Sequence, residues 1–314
     1  YVNGAYSAHG EAVVHIEDRG FQFADGVYEV LSVFDGRLAD FEGHMTRLHR
    51  SLNALKIDIP MSTGSLGVVL RETIRRNRVR DGLVYLQVTR GTARRDHPFP
   101  AEGTPPRVVV TARSMPLSKG NASAEKGVAV VTHPDIRWGR CDIKTVGLLP
   151  NVLAKQAAKE KGAAEAWMVD EMGLVTEGSS TNAWIVDEHG KLRTRDTQAN
   201  ILRGITRTAV LKLIEAEGLE LDERAFSVDE ANTLAALLRA GALPAKLTVI
   251  EERTVGADLG SDAIEMGIMS GLAGFGLVVA FILALYGTWG LLAVLALTLN
   301  VVLTFAGLTM LGAT

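Results

Sequence analysis

The chain has 314 residues, enough for one large domain or two ordinary ones with ample core. Its net charge of -3 gives no basic surface for nucleic acid, and its single cysteine, Cys141, excludes an internal disulfide and suits a reducing compartment. It starts at Tyr1 rather than Met and so reads as a fragment or processed form, with no signal peptide visible at that end.

In chain order, Ala12 to Ile16 reads as a strand and Asp18-Arg19-Gly20 as a turn. Gly26 to Phe34 and Arg37 to Phe41 flank Asp35-Gly36, a strong hairpin signal. Met45, Leu48, Leu52 and Leu55 recur at helical spacing, and Leu66 to Arg76 predicts a second helix. Gly82 to Arg90 and Arg107 to Ala112 read as strands, closing a small α+β domain over 1–114. The polar, turn-rich stretch 115–121 is the expected linker.

A larger domain over 122–231 opens with the strand Gly127 to Thr132 and runs through Lys144 to a helix over Pro150 to Lys161. Strands are predicted at Glu165 to Asp170 and Asn182 to Val186, then a helix from Thr206 to Glu217. Beyond Glu265 no charged residue occurs through Thr314. Met266 to Leu285 and Leu291 to Leu311 are each long enough to cross a bilayer, which needs roughly 20 apolar residues. Tyr286 to Gly290 forms a short turn between them with aromatics at the interface. The plainer account is two buried core helices, although a soluble helix normally keeps a polar face.

The chemistry gathers around Lys144, in Arg137-Trp138-Gly139-Arg140-Cys141-Asp142-Ile143-Lys144. A lysine, then the acidic and small-polar run Thr176 to Asn182, then Gly204-Ile205-Thr206-Arg207, suggests an aldehyde cofactor carrying a phosphate. A free lysine stays protonated at neutral pH, with a pKa of about 10.4, unless burial or a neighbouring cation frees the amine. Alone, such a lysine is an ordinary surface residue. Glu177, expected in a loop just after a strand, could face a pyridine nitrogen or be a simple turn carboxylate. Ile205 and Thr206 could bind phosphate through helix N-terminal N–H groups, with an ordinary N-cap as the rival account. Arg47, on the polar side of its helix near His44, could reach the same phosphate or be solvated. Arg95 and His97, on a loop after a strand, suit a substrate carboxylate, though such loops are usually only solvated. No metal spacing and no nucleophile elbow competes.

Taken together, these segments resemble the fold type IV pyridoxal-phosphate aminotransferases over Tyr1 to about Ala231. The carrying residues are Tyr1-Val2-Asn3-Gly4, Asp18 to Glu29, His44 to Leu48, Arg95-Asp96-His97, Cys141 to Lys144 with Leu148 to Asn151, Glu177 to Asn182, and Gly204 to Arg207. The resemblance implies a two-domain α+β fold with pyridoxal 5'-phosphate as cofactor. Lys144 would form the Schiff base and move the substrate α-proton, and Glu177 would pair with the ring nitrogen. Arg47, Ser180, Ile205 and Thr206 would hold the phosphate, Leu202 would pack on the ring, and Tyr28, Arg95 and His97 would trap the substrate carboxylate. The Arg-x-His pair favours the branch that transfers the amino group of D-amino acids to a 2-oxo acid, for example D-alanine with 2-oxoglutarate. Branched-chain aminotransferase and aminodeoxychorismate lyase are the alternatives. A homodimer is implied, with the site completed across the interface, in the cytoplasm.

The family pattern expected after Ala231 is absent, so the larger domain reads as truncated. Asn232 to Thr314 resembles SecD, a membrane component of bacterial protein export, through Leu234 to Ala245, Glu251 to Gly256 and Ser261 to Glu265. This implies a periplasmic-end segment over 232–264, two transmembrane helices over 265–314 and association with the inner membrane through 266–311. The seam falls in or near Phe226 to Ala231, making the chain a chimera. A reading of another class follows, a non-enzymatic export fragment.

Overall fold

The computed structural model describes residues 1–115, 127–187, 189–198, 201–239 and 286. Tyr1–Glu251 forms one compact unit, and the site lies within it.

A short helix α1 (Arg19–Phe23) is capped by the Asp18 side chain, which accepts from the Gly20 N–H at 2.9 Å. It leads into β1 (Gly26–Phe34), which turns back into β2 (Arg37–Leu38). Asp35 and Gly36 both sit at positive φ, 48° and 74°, the geometry that a two-residue hairpin of right-twisted strands requires. After the helices α2 (Phe41–Ala54) and α3 (Thr63–Arg76), β3 (Gly82–Thr89) and β4 (Arg107–Ser114) complete an antiparallel sheet of order β2-β1-β3-β4. Val27, Leu31 and Val33 line one face of β1, and they meet Met45, Leu48 and Leu52 of α2 and Leu66, Leu70 and Ile74 of α3. Each such side chain contributes about 1.5–3 kcal/mol on burial. One ionisable residue, Glu29, stands in that apolar row of β1 and is fully buried.

The second half starts with β5 (Val130–Pro134), followed by α4 (Leu149–Glu160), β6 (Glu165–Val169) and β7 (Val175–Gly178). β5 and β6 run parallel and β6 and β7 antiparallel. Pro150 suits the first turn of α4, and Ala154 and Ala158 let that helix approach Ala166 and Met168 of β6. β8 (Ile185–Val186), β9 (Leu192–Arg193) and β10 (Leu221–Asp222) form a small third sheet, with α5 (Ile205–Ala216) lying between β9 and β10 in sequence. A further helix, α6, spans Val228–Arg239.

Three expectations differ from this fold. Ala12 to Ile16 is not a strand: a 3-10 turn at His9–Glu11 precedes it, and Val13 and Ile16 lie exposed. The strand Asn182 to Val186 shortens to its last two residues, because Asn182 turns its amide to the cleft. Glu177 lies within a strand, β7, whose four residues are all buried, rather than in a loop after one. At the expected seam, Phe226 is fully buried with Val175, Ala183 and Ile185, and Ala231 and Leu234 pack against the same cluster. α6 runs through residues 231 and 232 without interruption. Among the described residues no helix is long and apolar enough to cross a membrane. The expected spans Met266–Leu285 and Leu291–Leu311, and most of the linker 115–121, lie outside the described residues.

Candidate active site

The site is assembled at an open edge of β1. The stretch after β5 returns to this strand, so that the Tyr28 N–H donates to the Lys144 carbonyl at 3.0 Å and the Val146 N–H to the Gly26 carbonyl at 3.1 Å. Ile143 is buried in the core of the first half and anchors the segment. Lys144 Nζ therefore comes to 3.3 Å from the Tyr28 hydroxyl and 4.3 Å from the centre of its ring. Burial, reinforced by the positive charge of Arg47, lowers the Lys144 amine to about 8, against the opposing pull of Glu29 and Glu177.

Glu177 faces this amine across the cleft from β7. Arg137 Nη1 donates to its Oε1, Asn182 Nδ2 to its Oε2 at 3.1 Å, and the Leu202 N–H reaches both oxygens at 3.2–3.3 Å. Burial raises the Glu177 carboxyl above its ordinary value, and Arg137 counters only part of that. Asn182 Nδ2 also donates to the Leu202 carbonyl at 3.0 Å, which fixes the turn leading to α5. Gly204 caps that helix without a side-chain hydrogen bond, and a Cβ there would lie 2.1 Å from Asn182 Oδ1. The first turn of α5 thus keeps N–H groups that no side chain caps, at Ile205 and Thr206 on the cleft wall.

Arg47 is buried, not on a solvated face. It grips Glu29 with Nε at 2.8 Å and Nη2 at 2.6 Å, while Nη1 donates to the Arg203 carbonyl at 3.0 Å, just ahead of α5. His44 Nδ1 lies 2.7 Å from the same carboxylate. Burial alone would raise the Glu29 carboxyl, but Arg47 and His44 outweigh it and hold it below the usual range. The reason is local: a carboxylate in the apolar row of β1 is tolerated only when a cation, here Arg47, and a further hydrogen-bond partner meet it there.

Tyr28, Arg47, Lys144, Glu177, Ser180, Leu202, Ile205 and Thr206 all line one open cleft, and so does His97. The Ser180 hydroxyl donates to Glu165 Oε2 at 2.8 Å, beside Ser179 and Thr181, which donate to the same carboxylate. Arg95 does not line the cleft. It is exposed and lies over the Phe23 ring at 4.9 Å, while His97 packs tilted against the same ring at 5.6 Å. The loop carrying both is tied down through Arg19, whose guanidinium donates to the Asp96 carbonyl at 2.7 Å. Four residues that the sequence left without a role, Glu29, His44, Arg137 and Asn182, hold the others in place. Of these only Glu29 left a signal, as an acid in the apolar row Val27-Glu29-Leu31-Val33.

An amine of lowered basicity, a buried acid opposite it and an uncapped helix start beside a forked cation define an enzyme site built around an aldehyde cofactor with a phosphate. The comparisons agree with that class. The chain belongs to the amino-transferase class IV family, whose pattern matches residues 26–250 and so runs past the expected seam at Ala231. It is 43% identical to a D-alanine aminotransferase of Bacillus licheniformis over 228 residues, covering 73% of this chain and 79% of that one. It is 36% identical to a D-alanine aminotransferase of Staphylococcus haemolyticus over 230 residues, covering 73% and 80%. Its fold is similar to the branched-chain aminotransferase of Escherichia coli, at 23% identity and a TM-score of 0.65, covering 74% of this chain and 78% of that one. A hypothetical aminotransferase from Mycobacterium tuberculosis, solved in its PLP-bound form, gives 24% identity and a TM-score of 0.64, covering 74% and 84%. These matches lend the SecD reading of 232–314 no support.

Proposed function

We propose that this chain is a D-amino-acid aminotransferase, moving the amino group of a D-amino acid to a 2-oxo acid, with D-alanine and 2-oxoglutarate giving pyruvate and D-glutamate as the representative pair. The observation that carries it is the Lys144 amine, lowered to about 8 and set against Tyr28 on one side and buried Glu177 on the other. The D-alanine aminotransferase relatives support the substrate class.

The residues fit pyridoxal 5'-phosphate: an amine for its aldehyde, an acid for its ring nitrogen, and a helix start with Arg47 for its phosphate. When bound, that group supplies a ring that withdraws electrons from the substrate Cα and so lets its proton leave. Lys144 would attach the cofactor and would carry the proton at the substrate Cα. Glu177 would hold the charge opposite the ring nitrogen. Arg47, Ile205 and Thr206 would hold the phosphate; Ser180 would join them through its N–H, because its hydroxyl proton is directed at Glu165. Leu202, on the cleft wall, would pack on the ring. Tyr28, Arg95 and His97 receive the substrate carboxylate, the last two from an exposed loop, which supports a homodimer in which that loop completes the partner's site.

The test is an amino-donor assay on the purified full chain. D-alanine with 2-oxoglutarate should yield pyruvate, and preferential use of L-leucine would instead favour a branched-chain enzyme. A chain with no borohydride-sensitive absorbance band would fail as an enzyme of this kind altogether. The tail reading, a SecD-like piece with an inner-membrane hairpin over 266–311, rests on the absence of charge after Glu265. It predicts that the full chain stays with membranes through an alkaline carbonate wash, and release by that wash would end it.

A further inference from the structure

Arg137 is a buried cation of the cleft, in direct contact with Glu177, to which the reaction outlined above gives no task. Its side chain is 7% exposed, as is that of Glu177, and Asp135 beside them is 10% exposed. Arg137 forks onto Asp135 with Nε at 2.9 Å and Nη2 at 2.7 Å, leaving Nη1 for Glu177 Oε1. Thr176 locks the fork by donating to Asp135 Oδ2 at 2.7 Å. The guanidinium cannot rotate away from Glu177 without breaking the pair with Asp135.

A carboxylate offers about four acceptor positions. Arg137, Asn182 and the Leu202 N–H take three of those on Glu177, which leaves one for a donor arriving from the cleft. The other ionisable groups near the acid are Lys144 and Tyr28 across the cleft and Cys141, whose thiol burial pushes up to about 11 and so keeps neutral. Arg137 is thus the cation fixed directly on this acid. Without it a buried carboxyl takes up a proton. A neutral carboxyl can still hydrogen-bond a ring nitrogen, but it no longer favours the charged form of that ring.

We propose that Arg137 is a positioning residue that keeps Glu177 ionised and oriented toward the cofactor's ring nitrogen, with Asp135 and Thr176 holding Arg137 in register. The inference rests on the proposed pairing of Glu177 with that nitrogen. It is tested with full-length apoprotein titrated with pyridoxal 5'-phosphate and with its 1-deaza analogue, in which a C–H replaces the ring nitrogen. Arg137→Met should weaken binding of the natural cofactor about tenfold or more and that of the analogue by less than about threefold. Arg137→Lys, which keeps a charge beside Glu177, should recover part of the loss. Equal weakening for both ligands, or no weakening for either, overturns the proposal, since a merely structural arginine does not distinguish them. Should Arg137→Met fail to fold, Asp135→Asn is read by the same ratio, with about a threefold loss expected for the natural cofactor alone. A wild-type chain that binds neither ligand refutes the cofactor reading instead.

Discussion

Lys144 shows what a single buried amine costs and supplies. Its ordinary value of 10.5 falls to about 8 in the fold because burial penalises the ammonium and Arg47 repels it. Below pH 8 folded and unfolded chains both hold the proton, so the folded state bears the full penalty. Between 8 and 10.5 the folded chain sheds its proton first and the penalty fades as pH rises. Lys144→Met should therefore stabilise the apoprotein at pH 7, on the order of 1–3 kcal/mol, with the gain shrinking toward pH 10.5. Urea midpoints of the two apoproteins across that range check it, and a gain that grows with pH contradicts it. Gly204 is a second case. A methyl there would stand 2.1 Å from Asn182 Oδ1 and push away the amide that steadies both Glu177 and Leu202. Gly204→Ala should cost about 1–3 kcal/mol of stability and lower cofactor affinity, read from melting curves and an apoprotein titration. The lysine could be singled out from sequence because of its company; the asparagine could not, because nothing in its own segment reveals the distant glycine that closes against it.

At the scale of elements, the edge of β1 decides where chemistry happens. Its Tyr28 face meets the Lys144 segment, while its Glu29 face meets α2, so one strand positions both the amine and the arginine. The Asp35-Gly36 turn revealed the β1–β2 hairpin, and helical period revealed α2, since that helix presents one apolar face to the core. Period failed at β7, whose Val175-Thr176-Glu177-Gly178 shows no alternation because all four residues are buried. It failed too at Ala12 to Ile16, where apolar residues lie exposed. The junction of β7 with the start of α6 carries its own prediction. The Val175 N–H donates to the Phe226 carbonyl at 2.9 Å, and the Phe226 ring, fully buried, meets Trp167 edge-on at 5.6 Å. Phe226→Ala should cost about 3–5 kcal/mol in urea unfolding. A loss under about 1 kcal/mol would mean that the stretch leading into α6 does not belong to the aminotransferase core.

At the scale of the whole molecule, the question is why Arg95 lies exposed when its proposed partner is a substrate inside the cleft. Arg19 and Phe23 hold its loop at the rim of the site, with His97 on the lining and Arg95 turned outward. A guanidinium in that position serves its own cleft poorly, but it can enter the cleft of a second copy that presents the same surface to it. Two inactive variants distinguish these arrangements. Lys144→Ala removes the amine and Arg95→Ala removes the proposed carboxylate anchor, so each homodimer should be strongly impaired. Unfolded together and refolded, they form mixed dimers. If the loop serves the partner, one site of each mixed dimer combines an intact lysine with an intact arginine and the other lacks both. About a quarter of wild-type activity should then return, since roughly half of the dimers are mixed and each holds one good site. If each loop serves its own chain, every site stays defective in one residue and no activity returns. Recovery of pyruvate formation from the mixture, against none from either variant refolded alone, is the result that the exposed loop predicts.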